Sequence, residues 1–300
     1  YLCHYDKKDV NSEIHLQKPF DEVQEKTFEY SIASDESTEE NTFLSYNKVI
    51  GTTLDRELYQ AFEILDYALL SAPGAPLKKA LTDAGIGKDI MGSYDNGVYQ
   101  PIFSVVAKNA EESQKDEFVK VIEDVLRDQV KNGINQKALL AGINYNEFRY
   151  READFGNYPK GLMYGLQVMD SWLYDENQPF IHIEALETFE FLKNKVGTGY
   201  YEELIQKKLL DNTHGAIVVV RPEQGRTARL DARLQDKLQK YKESLSEAEV
   251  EKLVADTKAL EEYQSEPEAI ENLEKIPVLR REDISREIAP FFNEEMKLAE

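Results

Sequence analysis

The sequence contains no closely spaced histidine pair. Its four histidines are His4, His15, His182 and His214, and no two lie within five residues of each other. That spacing excludes a helical zinc site built from two histidines one turn apart with a glutamate base beside them. Cysteine is almost absent too. Cys3 stands alone, so no internal disulfide can form, which fits a reducing compartment. At an irregular terminus with no partner base, Cys3 reads as inert. No apolar run approaches the length of a membrane span. Positive charge is in deficit: 36 Lys and Arg against 57 Asp and Glu give a net −21. Such a surface repels nucleic-acid phosphates rather than neutralising them. It favours solubility and suits basic peptides, although a generally acidic solvated surface has the same composition. The chain starts at Tyr1 with neither an initiator Met nor a signal-type segment, which reads as an excised or processed piece.

What is present suits one large domain, or a domain with an appendage: 300 residues, 41% hydrophobic and 31% charged. After a polar opening, residues 20–32 tend to alternate apolar and polar, and 42–51 read as a second strand across an exposed loop at 34–41. These two look like an antiparallel pair. Residues 55–70 carry Leu58, Tyr59, Phe62, Leu65 and Leu69 at helical period. Pro73 to Pro76 stop that helix, and Pro76 opens the next, 77–84, which Gly85 and Gly87 end. Strands follow at 89–99 and 102–108. Asn109 and Glu112 have the spacing of a reciprocal cap, before a helix with Phe118, Ile122 and Leu126 on one face. Further helices are expected from Asn135 to Ala153 and at 159–174, 183–196 and 199–209. A buried strand at 216–220 ends at Arg221-Pro222. This order predicts an α+β layer sandwich, a mostly antiparallel sheet covered by helices on one side.

Composition shifts at Gly225. Residues 226–264 contain neither Gly nor Pro and carry two amphipathic runs, Leu230, Leu234, Leu238 and Tyr241, then Val250, Leu253, Leu260 and Tyr263. Ser246 and Glu249 form a capping box between them, so an antiparallel helical hairpin is expected. The predicted division is therefore a domain over 1–222 and a hairpin with a polar tail over 223–300. Ile276 to Leu279, Ile288 and Phe291-Phe292 are apolar footholds in that tail.

Several collinear stretches carry a resemblance: LLSAPGAPLKKALTDAGIGKDI (69–90), YNEFRYREADFGNYPKGLMYGLQVMDSWLYD (145–175), NTHGAIVVVRPE (212–223), ALEEYQSEP (259–267) and IPVLRREDISRE (276–287). Together they resemble the presequence-protease branch of the pitrilysin/insulinase-type zinc metallopeptidases, over nearly the whole chain. The resemblance implies two halves of two related α+β domains each, closing around an unfolded peptide and joined by a helical hairpin. It places a His-x-x-Glu-His zinc helix in the first domain, and no such motif occurs here. The last domain of that family donates an Arg and a Tyr seven residues apart, where this chain has Lys78 and Lys79 followed by Gly85 and Ile86. The chain is thus similar to the second domain plus linker. The expectation is a non-catalytic segment with no catalytic residue, no metal ligand and no cofactor of its own, zinc belonging to the intact enzyme. The implied partners are the zinc-bearing domain and C-terminal half of the same polypeptide, and unfolded, basic peptides, with no nucleic acid and no membrane. A bacterial cytoplasm is the expected compartment, an organelle matrix the alternative. A peptide-binding or scaffold subunit of the same fold without a zinc domain is the rival reading.

Individual residues carry less. His182 with Glu184 has too few converging ligands for zinc. Arg226, Arg229 and Arg233 recur at helical spacing among acids and read as surface ion pairs. Residues 92–97 form either a tight turn, with Gly97 supplying positive φ, or a peptide-facing loop. Tyr94, Asp95 and Tyr99 are the candidates for peptide contact, since a tyrosine presents both a ring and a hydroxyl.

Overall fold

The computed structural model describes residues 4–153, 155–284, 286 and 287. Cys3, Ile288, Phe291 and Phe292 lie outside the described residues. The chain divides into two compact units, residues 1–230 and 231–300.

The first unit is built on one sheet of five strands: β1 (Gln24–Ile32), β2 (Thr42–Val49), β3 (Asp89–Asp95), β4 (Ile102–Ala110) and β5 (Gly215–Gln224). Their order is β1-β5-β2-β4-β3. β5 runs parallel to β1 and antiparallel to β2, and the β2–β4 and β4–β3 pairs are antiparallel. The sheet is mixed, with antiparallel pairs dominant.

One expectation fails here. β1 and β2 do not pair, because β5 lies between them. Two strand spacings, about 10 Å, separate them, and the long connection over 33–41 spans that gap where a tight hairpin turn would not. β5 also runs past Arg221-Pro222 to Gln224. Pairing with β2 stops at Val220 while pairing with β1 continues, so Pro222 falls where its missing donor breaks no bond to β2.

Alternation along the strands gives the sheet two unlike faces. Leu44, Tyr46, Phe103, Val105, Ala107, Ile217 and Val219 are buried under helices, whereas Phe43, Ser45, Asn47, Ser104, Val106 and Val218 are only half-buried. The covering helices are α1 (Arg56–Asp66), α2 (Pro76–Asp83), α3 (Lys115–Asn132), α4 (Gln136–Glu152), α6 (Leu186–Asn194) and α7 (Tyr200–Ile205). α5 (Lys160–Trp172) flanks them and leaves Leu162, Leu166 and Trp172 exposed.

Local chemistry explains the helix ends. The Asp55 carboxylate accepts from the Leu58 amide at 3.0 Å, and Asn135 caps α4 through the amides of Lys137 and Ala138. α3 begins differently from expectation. Asn109 is left-handed (φ 54°) and its side-chain amide donates to Glu40 O and Asn41 Oδ1. The reciprocal cap belongs instead to Glu111 and Gln114, in a short 3₁₀ turn ahead of α3. Gly133, at φ 88°, closes α3.

The NTHG stretch, residues 212–215, is a clip. The Asn212 side-chain amide donates to Val49 O at 2.7 Å and Lys208 O at 3.0 Å, and the His214 amide donates back to Asn212 Oδ1. Lys48, buried at 3% exposure, donates to Asn212 O. These bonds tie the start of β5 to the end of β2.

α1 ends in a π-helical turn, Tyr67–Ser71, that buries Ala68, Leu69 and Leu70. This turn presses on β3. A Cβ at Gly92 would lie 2.6 Å from Leu70 Cδ1 and 2.9 Å from Asp66 Oδ1. β3 stops at Asp95, short of the expected 99, and Gly97 does not adopt positive φ.

Unit 2 contains most of α8 (Arg226–Ser244), all of α9 (Glu247–Ser265) and a short α10 (Ile270–Leu273). Ser246 and Glu249 form the expected capping box. The apolar stripes are not buried: Leu234, Leu238, Leu253 and Leu260 are each about half exposed, and Val278 and Leu279 are exposed as well. Near the start of α8, Arg226 pairs with Glu223 at 3.0 Å and Arg229 pairs with the same carboxylate.

Gly92→Ala should cost about 1–3 kcal/mol by overpacking the π-turn against β3. Urea unfolding of the two proteins checks this, and equal midpoints would show that the contact is soft.

Candidate functional site

On the helix side of the sheet, α1 carries two acids beside its apolar stripe, Glu63 and Asp66. The stripe faces the sheet, so both acids lie at the boundary between α1, α4, α5 and β3. Asn96 donates to Glu63 Oε1 at 2.8 Å, and Gln60 donates to Oε2 at 3.0 Å. Tyr59, one turn earlier, donates its hydroxyl to Asp170 on α5 at 3.3 Å. Its ring stacks on His182 at 4.0 Å between centroids, and His182 Nε2 meets Thr53 Oγ1 at 3.2 Å.

A cavity of about 140 Å³ opens at this junction. Tyr59, Tyr150, Phe155, Tyr164, Phe189 and the His182 ring form its walls, and Glu63 and Arg149 are its charged lining groups. Glu63 and Arg149 also border an adjoining recess with Asp66 and Tyr94. The Tyr94 hydroxyl and Asp66 Oδ1 are buried there without a hydrogen-bond partner.

Burial governs the electrostatics. It raises the Glu63 carboxyl against the donated bonds of Asn96 and Gln60. Asp66 is pushed up to about 6 by burial and by the neighbouring Glu63. Asp170 is also pushed up to about 6, by burial first and then by Asp95 and Glu63, against the Tyr59 hydrogen bond. Desolvation lowers His182 to about 4, so it is neutral at pH 7. The hydroxyls of Tyr59 and Tyr94 are raised well above their ordinary value by burial and nearby carboxylates.

The residues singled out in the sequence do not share one surface. Tyr94 points to the helix side, where its ring lies 5.8 Å from Phe62 and 6.5 Å from Tyr59. Asp95, its neighbour at the end of β3, is exposed and lies near enough to Asp170 to raise it. Tyr99 stacks flat on Tyr174 at 4.2 Å. His182 serves Thr53 and Tyr59 rather than pairing with Glu184. The sequence reading missed Tyr59, Glu63 and Asp170. Asp170 left a visible signal, as an acid inside an otherwise apolar helix (GLMYGLQVMDSW); Glu63 and Asp66 looked like ordinary solvated flanks of an amphipathic helix. Among the described residues no group of three or more His, Cys, Asp or Glu side chains could hold a metal ion. No helix among them is long and apolar enough to cross a membrane.

Two family models match the sequence: the peptidase M16 inactive domain over residues 3–145, and the associated segment of peptidase M16 subfamily C over 220–300. The chain belongs to the M16 peptidase family. Protein HypA of Clostridium perfringens is 42% identical over 298 residues, covering 99% of this chain and 30% of that protein. Presequence protease 1 of Arabidopsis thaliana is 27% identical over 283 residues, covering 92% of this chain and 26% of that protein. The M16 chain described here thus spans less than a third of the length of these relatives. Among solved structures, the M16 inactive domain from Pseudomonas fluorescens superposes with a TM-score of 0.50 at 14% identity, over 72% of this chain and 48% of that one. A protease from Helicobacter pylori gives 0.51 at 12% identity, over 72% and 48%. These last two show the fold. The M16 peptidases are zinc enzymes, and the domain matched here is their inactive one.

The raised acids set a pH dependence. A carboxyl with a raised folded pKa binds a proton more readily in the native state. Its contribution is fully present below the unfolded value near 4 and is lost as pH rises through about 6. Asp66→Asn should therefore stabilise the protein by about 1–2 kcal/mol at pH 8, after allowance for partial exposure, and hardly at all at pH 4. Denaturant midpoints at the two pH values test this, and an equal gain at both would refute it.

Proposed function

We propose that this M16 chain is a non-catalytic wall of a zinc metalloendopeptidase that degrades unfolded peptides. Residues 1–222 form the peptide-facing domain, and 223–300 form the linker between enzyme halves. Zinc, its ligands and the general base belong to the intact enzyme, where a metal-polarised water performs hydrolysis. The match to the inactive domain, together with relatives that are presequence proteases, supports this reading.

The observation that carries it is the one-sided sheet. Its half-buried face offers apolar rows (Phe43, Val106, Val218) around a polar seam, in which Ser45 and Ser104 both donate to Asn47 Oδ1. Among the described residues β3 is an edge strand paired only to β4, and a sheet edge of this kind can accept an extended chain. Exposed acids stand at both ends of that edge, Asp89 and Asp95. An unfolded peptide needs such a surface: alternating apolar and hydrogen-bonding groups, with acids to favour basic residues. The exposed leucines of α8 and α9 suit a linker whose stripes are covered by the halves it joins.

Changing Asp89 and Asp95 together to Asn should weaken a basic peptide about two- to fivefold, as expected for exposed charge pairs, and leave an acidic peptide unaffected. Fluorescence anisotropy with two labelled peptides of opposite charge measures this. Equal loss for both peptides would remove the basic preference from the proposal.

A further inference from the structure

The aromatic cavity between α1, α4 and α5 has no part in the peptide wall, because it lies on the helix side of the sheet. Its composition is unusual for a simple packing gap. Five aromatic side chains and the His182 ring enclose it, yet a half-buried carboxylate, Glu63, lines it together with Arg149. Among the described residues no Lys, Arg or His lies within ion-pair distance of Glu63, Asp66 or Asp170. The nearest cation, Arg149, lines the same cavity and lowers the Glu63 carboxyl through space without an ion pair, while its exposed guanidinium lies over the Tyr145 ring at 5.6 Å. Arg151 on α4 and Lys193 on α6 are both taken up by Glu147. Buried carboxylates are ordinarily paired or neutralised, and a ring-walled site with one acid is the arrangement that favours an organic cation. Two further acceptors, Asp66 Oδ1 and the Tyr94 hydroxyl, are buried without partners in the adjoining recess.

We propose that this cavity binds a guanidinium or ammonium group on an alkyl stem, as in an arginine or lysine side chain or the free amino acid. The aromatic walls hold the stem and share the cation–π attraction, and Glu63 is the counter-ion. Asn96 and Gln60 each occupy one lone pair of the Glu63 oxygens, fix the carboxylate, and leave acceptor capacity on both oxygens for the incoming N–H groups. The proposal is independent of the peptide-wall reading and stands or falls separately.

The test titrates the 300-residue chain with butylguanidinium and with butylurea, its neutral isostere, by calorimetry at pH 7.5. Butylguanidinium should bind at least about tenfold more tightly than butylurea. Glu63→Gln should abolish the difference. Tyr164→Ala, at an exposed wall position whose loss spares the core, should weaken butylguanidinium alone by about threefold to tenfold. Free arginine and a capped Ala-Arg-Ala peptide, run in parallel, tell a small ligand from a peptide side chain, and tighter binding of either than of butylurea supports the site. Equal binding of butylguanidinium and butylurea would overturn the proposal. So would a cation preference that survives in both variants; the cation would then bind outside this cavity.

Discussion

The insertion of β5 between β1 and β2 is the constraint on which the rest of the first unit depends. The last strand in sequence joins the first two, so β1 is held in the sheet only through a strand that the chain reaches after the whole covering layer of helices. The NTHG clip fixes where that strand starts. Asn212 holds Val49 and Lys208 together, Lys48 donates to the Asn212 carbonyl, and Gly215 passes so close to Asn47 that a Cβ would lie 2.3 Å from its carbonyl oxygen. Once β5 is seated, Leu44, Tyr46, Ile217 and Val219 form a continuous apolar floor for α1, α3 and α7. The opposite face is left half-open, and that openness is what the functional reading uses.

The same one-sidedness explains the buried acids. α1 must send Leu58, Phe62 and Leu65 to the sheet, which leaves its Glu63–Asp66 flank facing α4 and α5 rather than water. Gly92 allows the π-turn to approach β3, and that approach buries the Asp66 side chain against Leu70 and the strand. Close packing and raised carboxyls are therefore two results of one geometry. His182 responds to the same desolvation with the opposite sign and stays neutral, so it can accept or donate to Thr53 without adding charge.

Much of the fold was legible in the sequence because period and punctuation agreed there. The helical period of 55–70, the Pro76 start of α2, the Asn135 cap and the Ser246–Glu249 capping box all appear in the structure as read. Pairing partners were not legible. Alternation shows that 24–32 and 42–49 are strands but says nothing of which strand lies beside them, and the parallel β1–β5 contact joins residues from opposite ends of the first unit. The Asn109 cap was misread because two polar residues at the right spacing do not reveal that Asn109 has turned left-handed to hold the 40–41 loop. The site was read least well. Tyr94, Asp95 and Tyr99 are near neighbours in sequence, yet Tyr94 packs on Phe62, Asp95 is exposed at the strand end and Tyr99 stacks on Tyr174. The groups that line the cavity come from α1, α4 and α5 and from the 182–189 stretch, far apart in the chain.

The central claim is that this M16 segment handles peptide without cutting it. The most direct measurement pairs binding with cleavage: the purified chain, a fluorogenic unfolded basic peptide, and zinc in the buffer. Micromolar or tighter binding with no cleavage above the protein-free rate is the expected result. Chelator-sensitive cleavage by the pure chain, contaminating protease excluded, would contradict it.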